Sequence, residues 1–179
     1  MIEIVIPFLR EDLYPQCVES IAANTEPGAY KIYLIDDSSG ILGPVKAYNK
    51  GIQQTRGDIV LMNDDIIVTP NWLENMLSVD ADAVVSLYRN ESFYPNISCT
   101  LVRRYVVERV GLLDERWFLG FGADNDWFIR MERCGFRIGV NQKNRIVHKH
   151  RASIQKVVNY KTIAENEQKM FIKIYARGS

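Results

Sequence analysis

The stretch DIVLMNDDIIV, residues 58–68, decides the fold. Ile59 to Met62 form a short apolar run of the length and composition of a buried strand. The run breaks at Asn63 into two carboxylates, Asp64 and Asp65, and then resumes as Ile66-Ile67-Val68. Two charges inside an otherwise buried-looking segment are costly unless something compensates them. A divalent cation removes that conflict, and hard carboxylate oxygens suit Mg2+ or Mn2+. Successive strand side chains point to opposite sides, so the two aspartates need not serve the same ion.

Upstream lie two further β-rich runs, IEIVI at 2–6 and KIYLI at 31–35. Between them the spacing of Leu13, Cys17 and Ile21 predicts a helix, with Glu11 and Asp12 in its first turn and Pro15 near its start. The second run ends in Asp36-Asp37-Ser38-Ser39-Gly40, where strand propensity gives way to turn residues. Pro44 opens another helix, with Val45, Tyr48 and Ile52 on one face and Gly57 closing it. Strand-helix-strand alternation of this kind is the signature of an α/β fold with a mostly parallel sheet.

Downstream, Thr69-Pro70 reads as an N-cap and first helical position before Trp72, Leu73, Met76 and Leu77. DAVVSLY (82–88) and ISCTLV (97–102) read as strands, followed by a short helix near Arg104 to Val110. The loop GFGADND (120–126) leads into a helix carrying Trp127, Phe128 and Met131 and ended by Gly135. FRIGV (136–140) and RIVH (145–148) read as two more strands, and a last helix is predicted from about Ile154. Its apolar stripe, Ile163, Met170, Phe171 and Ile174, either docks back on the domain or makes a contact between two copies in a homodimer.

The 179 residues are 47% hydrophobic, enough for one core, and Lys plus Arg equal Asp plus Glu at 22 each. A chain without net charge lacks the field that draws proteins to nucleic acid or acidic membranes, so any anion site is local. Cys17, Cys99 and Cys134 are odd in number, with no C-x-x-C pair, and read as reduced thiols. With no apolar stretch of spanning length, the expected location is cytoplasmic, with at most a peripheral contact to a membrane. Asn90-Glu91-Ser92 and Asn96-Ile97-Ser98 match the glycosylation acceptor pattern, as short motifs often do by chance.

Three acidic clusters therefore stand at or near the ends of predicted elements: Asp36-Asp37, Asp64-Asp65 and Asp124 with Asp126. In open α/β sheets the ligand crevice lies beyond the carboxyl ends of the strands, so the first two clusters can face one site. Each cluster alone also has a plain reading as turn or N-cap residues.

The blocks VIPFLRED (5–12), VESIAANT (18–25), IYLIDDSSG (32–40) and AYNKGIQQTRGDIVLMNDDIIVTPNWLENML (47–77) resemble the first two-thirds of a family 2 glycosyltransferase of the GT-A fold. GLLDERWFLGFGADNDWFIRMERCGFRI (111–138) and IVHKHRAS (146–153) resemble its acceptor-side third. The resemblance implies one domain with a nucleotide-binding part (1–70), an acceptor part (71–153) and a C-terminal helix (154–179). It implies nucleotide-sugar contacts from Pro7, Phe8, Arg10, Asp36, Asp37, Asn49, Gly51 and Asp64, the last near the ribose. It implies a metal, Mn2+ or Mg2+, held by Asp65 and His148, a UDP- or dTDP-sugar as donor, and Asp124 as general base of an inverting transfer. The acceptor, by the same resemblance, is a glycan, a lipid-linked intermediate, a protein or a modified nucleobase.

Two positions depart from the family pattern. Ala123 stands where a glutamate usually precedes the base, which makes Asp126 an alternative base. Tyr48 stands where many relatives carry an arginine, leaving Arg10 or Lys46 as sources of positive charge. Two other readings belong beside this one. A sugar nucleotidyltransferase or dinucleotide-binding oxidoreductase needs a glycine-rich loop after the first strand, where this chain has Pro7-Phe8-Leu9-Arg10. A non-catalytic nucleotide- or sugar-binding module of the same fold is kept open by Ala123.

Overall fold

The computed structural model describes residues 1–88, 96–149 and 159–175. Its elements are β1 (Ile2–Phe8), α1 (Tyr14–Ala23), β2 (Tyr30–Asp36), α2 (Pro44–Ile52), β3 (Ile59–Met62), β4 (Ile66–Ile67), α3 (Trp72–Leu77), β5 (Ala83–Tyr88), β6 (Cys99–Val102), α4 (Arg104–Val110), α5 (Ala123–Arg133), β7 (Ile138–His148) and α6 (Tyr160–Tyr175). The strands form one sheet in the order β2-β1-β3-β6-β5-β7-β4. Five of them share one direction, while β6 and the two-residue β4 run against their neighbours.

Alternation along β1 divides the core in two. Ile2, Ile4 and Ile6 face one apolar cluster with Cys17 and Ile21 of α1 and Trp72, Leu73 and Met76 of α3. Val5 faces the other, with α2, α4 and α5. A sheet with period-two side chains and helices on both faces is the expected three-layer solution. Gly51 on α2 shows how close the layers are, since a Cβ there would lie 2.2 Å from Val5 Cγ1. Only glycine lets that helix sit directly on β1.

Glu3 is the one carboxylate buried within β1. Burial opposes its ionisation, but the Tyr33 hydroxyl and the backbone N–H groups of Gly57 and Arg56 outweigh that and hold its carboxyl below the usual range. Glu3 thereby closes the turn that feeds β3.

Several local expectations are corrected. α1 begins at Tyr14, leaving Glu11 and Asp12 before its first turn. α2 ends at Ile52, and the Gly57 N–H instead serves Glu3. The N-cap of α3 is Asn71, at φ 60°, because Thr69 and Pro70 remain in the preceding turn. FRIGV and RIVH belong to a single strand: β7 pairs along β5 from Ile138 to Ile146, with residues 142–144 looped out between the Ser86–Asn141 and Leu87–Arg145 pairs. α6 starts at Tyr160, and the predicted start near Ile154, like His150 and the motif at Asn90, lies outside the described residues. The stripe on α6 docks on the core through Met170 and Phe171.

Candidate active site

The chain leaves β1 for β2 on one side through α1, then crosses back through α2 to β3 on the other side. Beyond the carboxyl ends of these strands lies the switch point where open α/β sheets bind ligands. A cavity of about 750 Å³ opens there. Its size suits a substrate or cofactor. Pro7, Phe8 and Leu9 line it from the end of β1, Asp37 from just past β2, and Asn63, Asp64 and Asp65 from just past β3.

The short strand β4 explains how Asp65 meets His148. Ile66 pairs with His148 and Ile67 with Val147, while the Lys149 N–H donates to the Asp65 carbonyl. That register sets His148 Nε2 3.2 Å from Asp65 Oδ1, with both side chains buried. The approach lacks hydrogen-bond geometry, and Asp65 Oδ1 has no hydrogen-bond donor. An exposed-edge carboxylate would be solvated, whereas this oxygen is held out of water with an imidazole nitrogen beside it. Asp64 is also buried, and its Oδ2 accepts the Leu9 N–H at 3.3 Å, tying the β1 loop to the end of β3.

Asp124 is the second residue of α5 and lines the same cavity. Its carboxylate accepts the Asn125 N–H at 2.8 Å. A helix N-terminus lowers a carboxyl pKa, yet here burial wins and pushes Asp124 up to about 6. A carboxylate poised near neutrality is a better general base than an ordinary surface aspartate.

The remaining sequence candidates fall in different places. Asp37 is buried at the cavity, but both oxygens are taken by the N–H groups of Leu42 and Gly43, at 2.9 Å each. Asp36 is exposed and accepts the Ser38 N–H, which lowers its pKa. Arg10 pairs with Asp12, and neither it nor the exposed Lys46 lines the cavity. Asn49 is buried away from the lining, donating to the Leu113 carbonyl and accepting the Leu113 N–H, while Gly51 packs on Val5. Asp126 also lies off the cavity. It accepts Arg130 Nε at 2.8 Å and the Tyr175 hydroxyl, so it joins α5 to α6.

Tyr48, the departure at the family's arginine position, does line the cavity. It is buried and donates its hydroxyl to Asn63 Oδ1 at 2.7 Å. Burial raises its pKa well above the usual range, so it is a neutral phenol. No described lysine or arginine lines this cavity. Its charged side chains are Asp37, Asp64, Asp65, Asp124 and Glu165.

Sequence reasoning missed the contribution of α6, which places Ala164, Glu165, Gln168 and Phe171 on the cavity wall. It also missed Glu167, buried and bonded to the loop before α5. A signal was present, because Glu167 falls four residues after Ile163 and four before Phe171, inside the apolar stripe.

No sequence-family model matches the chain, and no curated protein sequence matches it. Solved structures do match its fold. The catalytic domain of Drosophila beta1,4-galactosyltransferase 7, solved with xylobiose, superposes with a TM-score of 0.65 at 15% identity, over 92% of this chain and 79% of that one. A variant of that enzyme was solved with manganese, UDP-Gal and xylobiose, and matches at a TM-score of 0.62 and 16% identity, over 91% and 78% of the two chains. GalNAc-T7, solved with UDP, GalNAc and Mn2+, gives a TM-score of 0.69 at 15% identity over 83% of this chain and 43% of that one. With its single α/β sheet, flanking helices and cavity at the switch point, this chain has the GT-A fold that these glycosyltransferases share.

Proposed function

We propose that this chain is a metal-dependent glycosyltransferase that moves a sugar from a nucleotide diphosphate donor to an acceptor hydroxyl, with inversion. The observation that carries the reading is the meeting of Asp64, Asp65 and His148 with Asp124 in one cavity that has no described lysine or arginine in its lining. An anionic diphosphate entering among these carboxylates needs a cation. The structural neighbours solved with Mn2+ and UDP or UDP-Gal support the same reading.

The residues fit a metal. Asp65 offers a buried oxygen with no hydrogen-bond donor, and His148 offers an imidazole nitrogen 3.2 Å away, a donor set suited to Mn2+. Among the described residues no group of three acidic, histidine or cysteine side chains is arranged around one point, so donor oxygens and water would complete the shell. When bound, the ion would supply Lewis-acid stabilisation of the departing diphosphate.

The chain's own residues do the rest. Asp64, fixed by the Leu9 N–H, stands where a ribose hydroxyl can be received, and Phe8 and Pro7 give the base an apolar wall. Asp124 accepts the proton of the acceptor hydroxyl as it attacks the anomeric carbon, a role worth about 10²- to 10⁴-fold. A single displacement of that kind inverts the anomeric centre.

A thermal-shift panel of UDP, dTDP, GDP and their sugars, with and without Mn2+, tests the proposal, because a ligand that binds only the native state raises apparent stability. A Mn2+-dependent shift with one nucleotide is expected, and it names the base. No shift with any of them refutes the donor site.

A further inference from the structure

Glu167 is 4% exposed and sits in the apolar stripe of α6. Its two carboxylate oxygens accept the backbone N–H groups of Leu119 at 2.8 Å and Phe121 at 2.9 Å. Burial pushes its pKa up, and these N–H groups pull against that rise. The clamped segment is the one that leads directly into α5 and Asp124. From its other side the same loop is pressed on the start of α2, where a Cβ on Gly43 would lie 2.6 Å from the Phe118 carbonyl.

Two more contacts at four-residue steps continue this face of α6. The Phe171 ring lies 6.2 Å from that of Trp117, and the Tyr175 hydroxyl donates to Asp126. Packing alone would be served as well by leucine at 167, without the cost of desolvating a carboxylate. What a carboxylate adds is a fixed pair of acceptors for two loop amides two residues apart.

We infer that Glu167 is a positioning residue: it fixes the backbone of residues 119–121 and so sets where Asp124 stands in the cavity. The assignment rests on the proposed role of Asp124, and it makes α6 part of the machinery on the acceptor side. Glu165 and Gln168, on the adjoining cavity face of the helix, then present polar groups beside the position that Glu167 holds.

The test is the titration of the Asp124 carboxyl, followed by carbon NMR, in the wild type, Glu167→Leu and Glu167→Gln. Each variant is first checked for native circular dichroism, and the glutamine variant serves if the leucine one does not fold. The Asp124 midpoint is expected to move by half a unit or more, and release of UDP from UDP-galactose to slow by about tenfold to a hundredfold, as displaced catalytic groups do. The affinity for UDP with Mn2+ should stay within about twofold. An Asp124 midpoint that stays put in a folded variant overturns the assignment. A wild type that binds no nucleotide refutes the donor site instead, and the Asp124 midpoint still decides the role of Glu167.

Discussion

Replacing Asp124 by asparagine should stabilise the protein while abolishing transfer. In the folded chain burial raises this carboxyl from 3.8 to about 6, a rise of about two pK units. At 1.36 kcal/mol per unit this is about 3 kcal/mol of unfavourable ionisation. Partial solvent access, and the weaker hydrogen bond that an amide oxygen accepts from the Asn125 N–H, reduce the expected gain to about 1–2 kcal/mol. The sign follows from linkage. Below pH 3.8 the carboxyl is neutral in both folded and unfolded chains, and the wild type carries no penalty. Between 3.8 and about 6 the unfolded chain ionises first, so wild-type stability falls as pH rises, and above 6 the penalty is complete. For a chain of 179 residues, 1–2 kcal/mol is a rise in Tm of about 2–8 °C at pH 7.5, shrinking toward zero near pH 4. Calorimetric scans of both proteins across that range measure it. An asparagine variant less stable than wild type at pH 7.5, or a difference that does not change with pH, would refute burial as the force acting on Asp124.

Asp65→Ala should leave the fold intact and lower Mn2+-dependent UDP affinity by at least about tenfold, measured by titration calorimetry; unchanged affinity would remove Asp65 from the metal. Glu3→Gln should cost about 1–3 kcal/mol at neutral pH, since it weakens acceptors for the Tyr33 hydroxyl and two backbone N–H groups. Because the folded pKa of Glu3 is depressed, its contribution is present above the unfolded value of 4.5 and is lost as pH falls through the folded one, so the two denaturation curves should converge in acid. Gly51→Ala should destabilise by about 1–3 kcal/mol through the contact with Val5, and Val5→Ala in the same chain should recover part of that loss; additive effects of the two would speak against the contact.

What the sequence made legible is what depends on neighbours along the chain. The strand runs, Pro44 at the start of α2 and the carboxylates after β3 are set by local periodicity and turn chemistry, and they stand where those rules put them. The helix that carries Asp124 is equally plain, since Trp127, Phe128 and Met131 repeat at helical spacing and all three are buried. FRIGV and RIVH read as two strands because the polar run Asn141-Gln142-Lys143-Asn144 interrupts the apolar pattern, while the pairing that continues past it is made by β5, more than fifty residues earlier.

The chemistry is less legible than the fold because it turns on contacts between distant parts. Whether His148 faces Asp65 is decided by the register of a two-residue strand, which no periodicity can display. The ionisation of Asp124 is a contest between a helix N-terminus and burial, and the walls of the cavity that buries it include α6, some forty residues downstream. From the helix alone one expects an ordinary carboxylate; burial at the cavity pushes it up to about 6. The same helix supplies Glu167, whose side chain looks misplaced in an apolar stripe until the amides of Leu119 and Phe121 are found on it. A polar residue on the buried face of α6 is thus the sequence feature that points to the loop before Asp124. Asp126 follows the same logic in reverse: it reads as a second base in sequence, but it lies off the cavity with its carboxylate engaged by Arg130 and Tyr175, which is why the proposed transfer is assigned to Asp124.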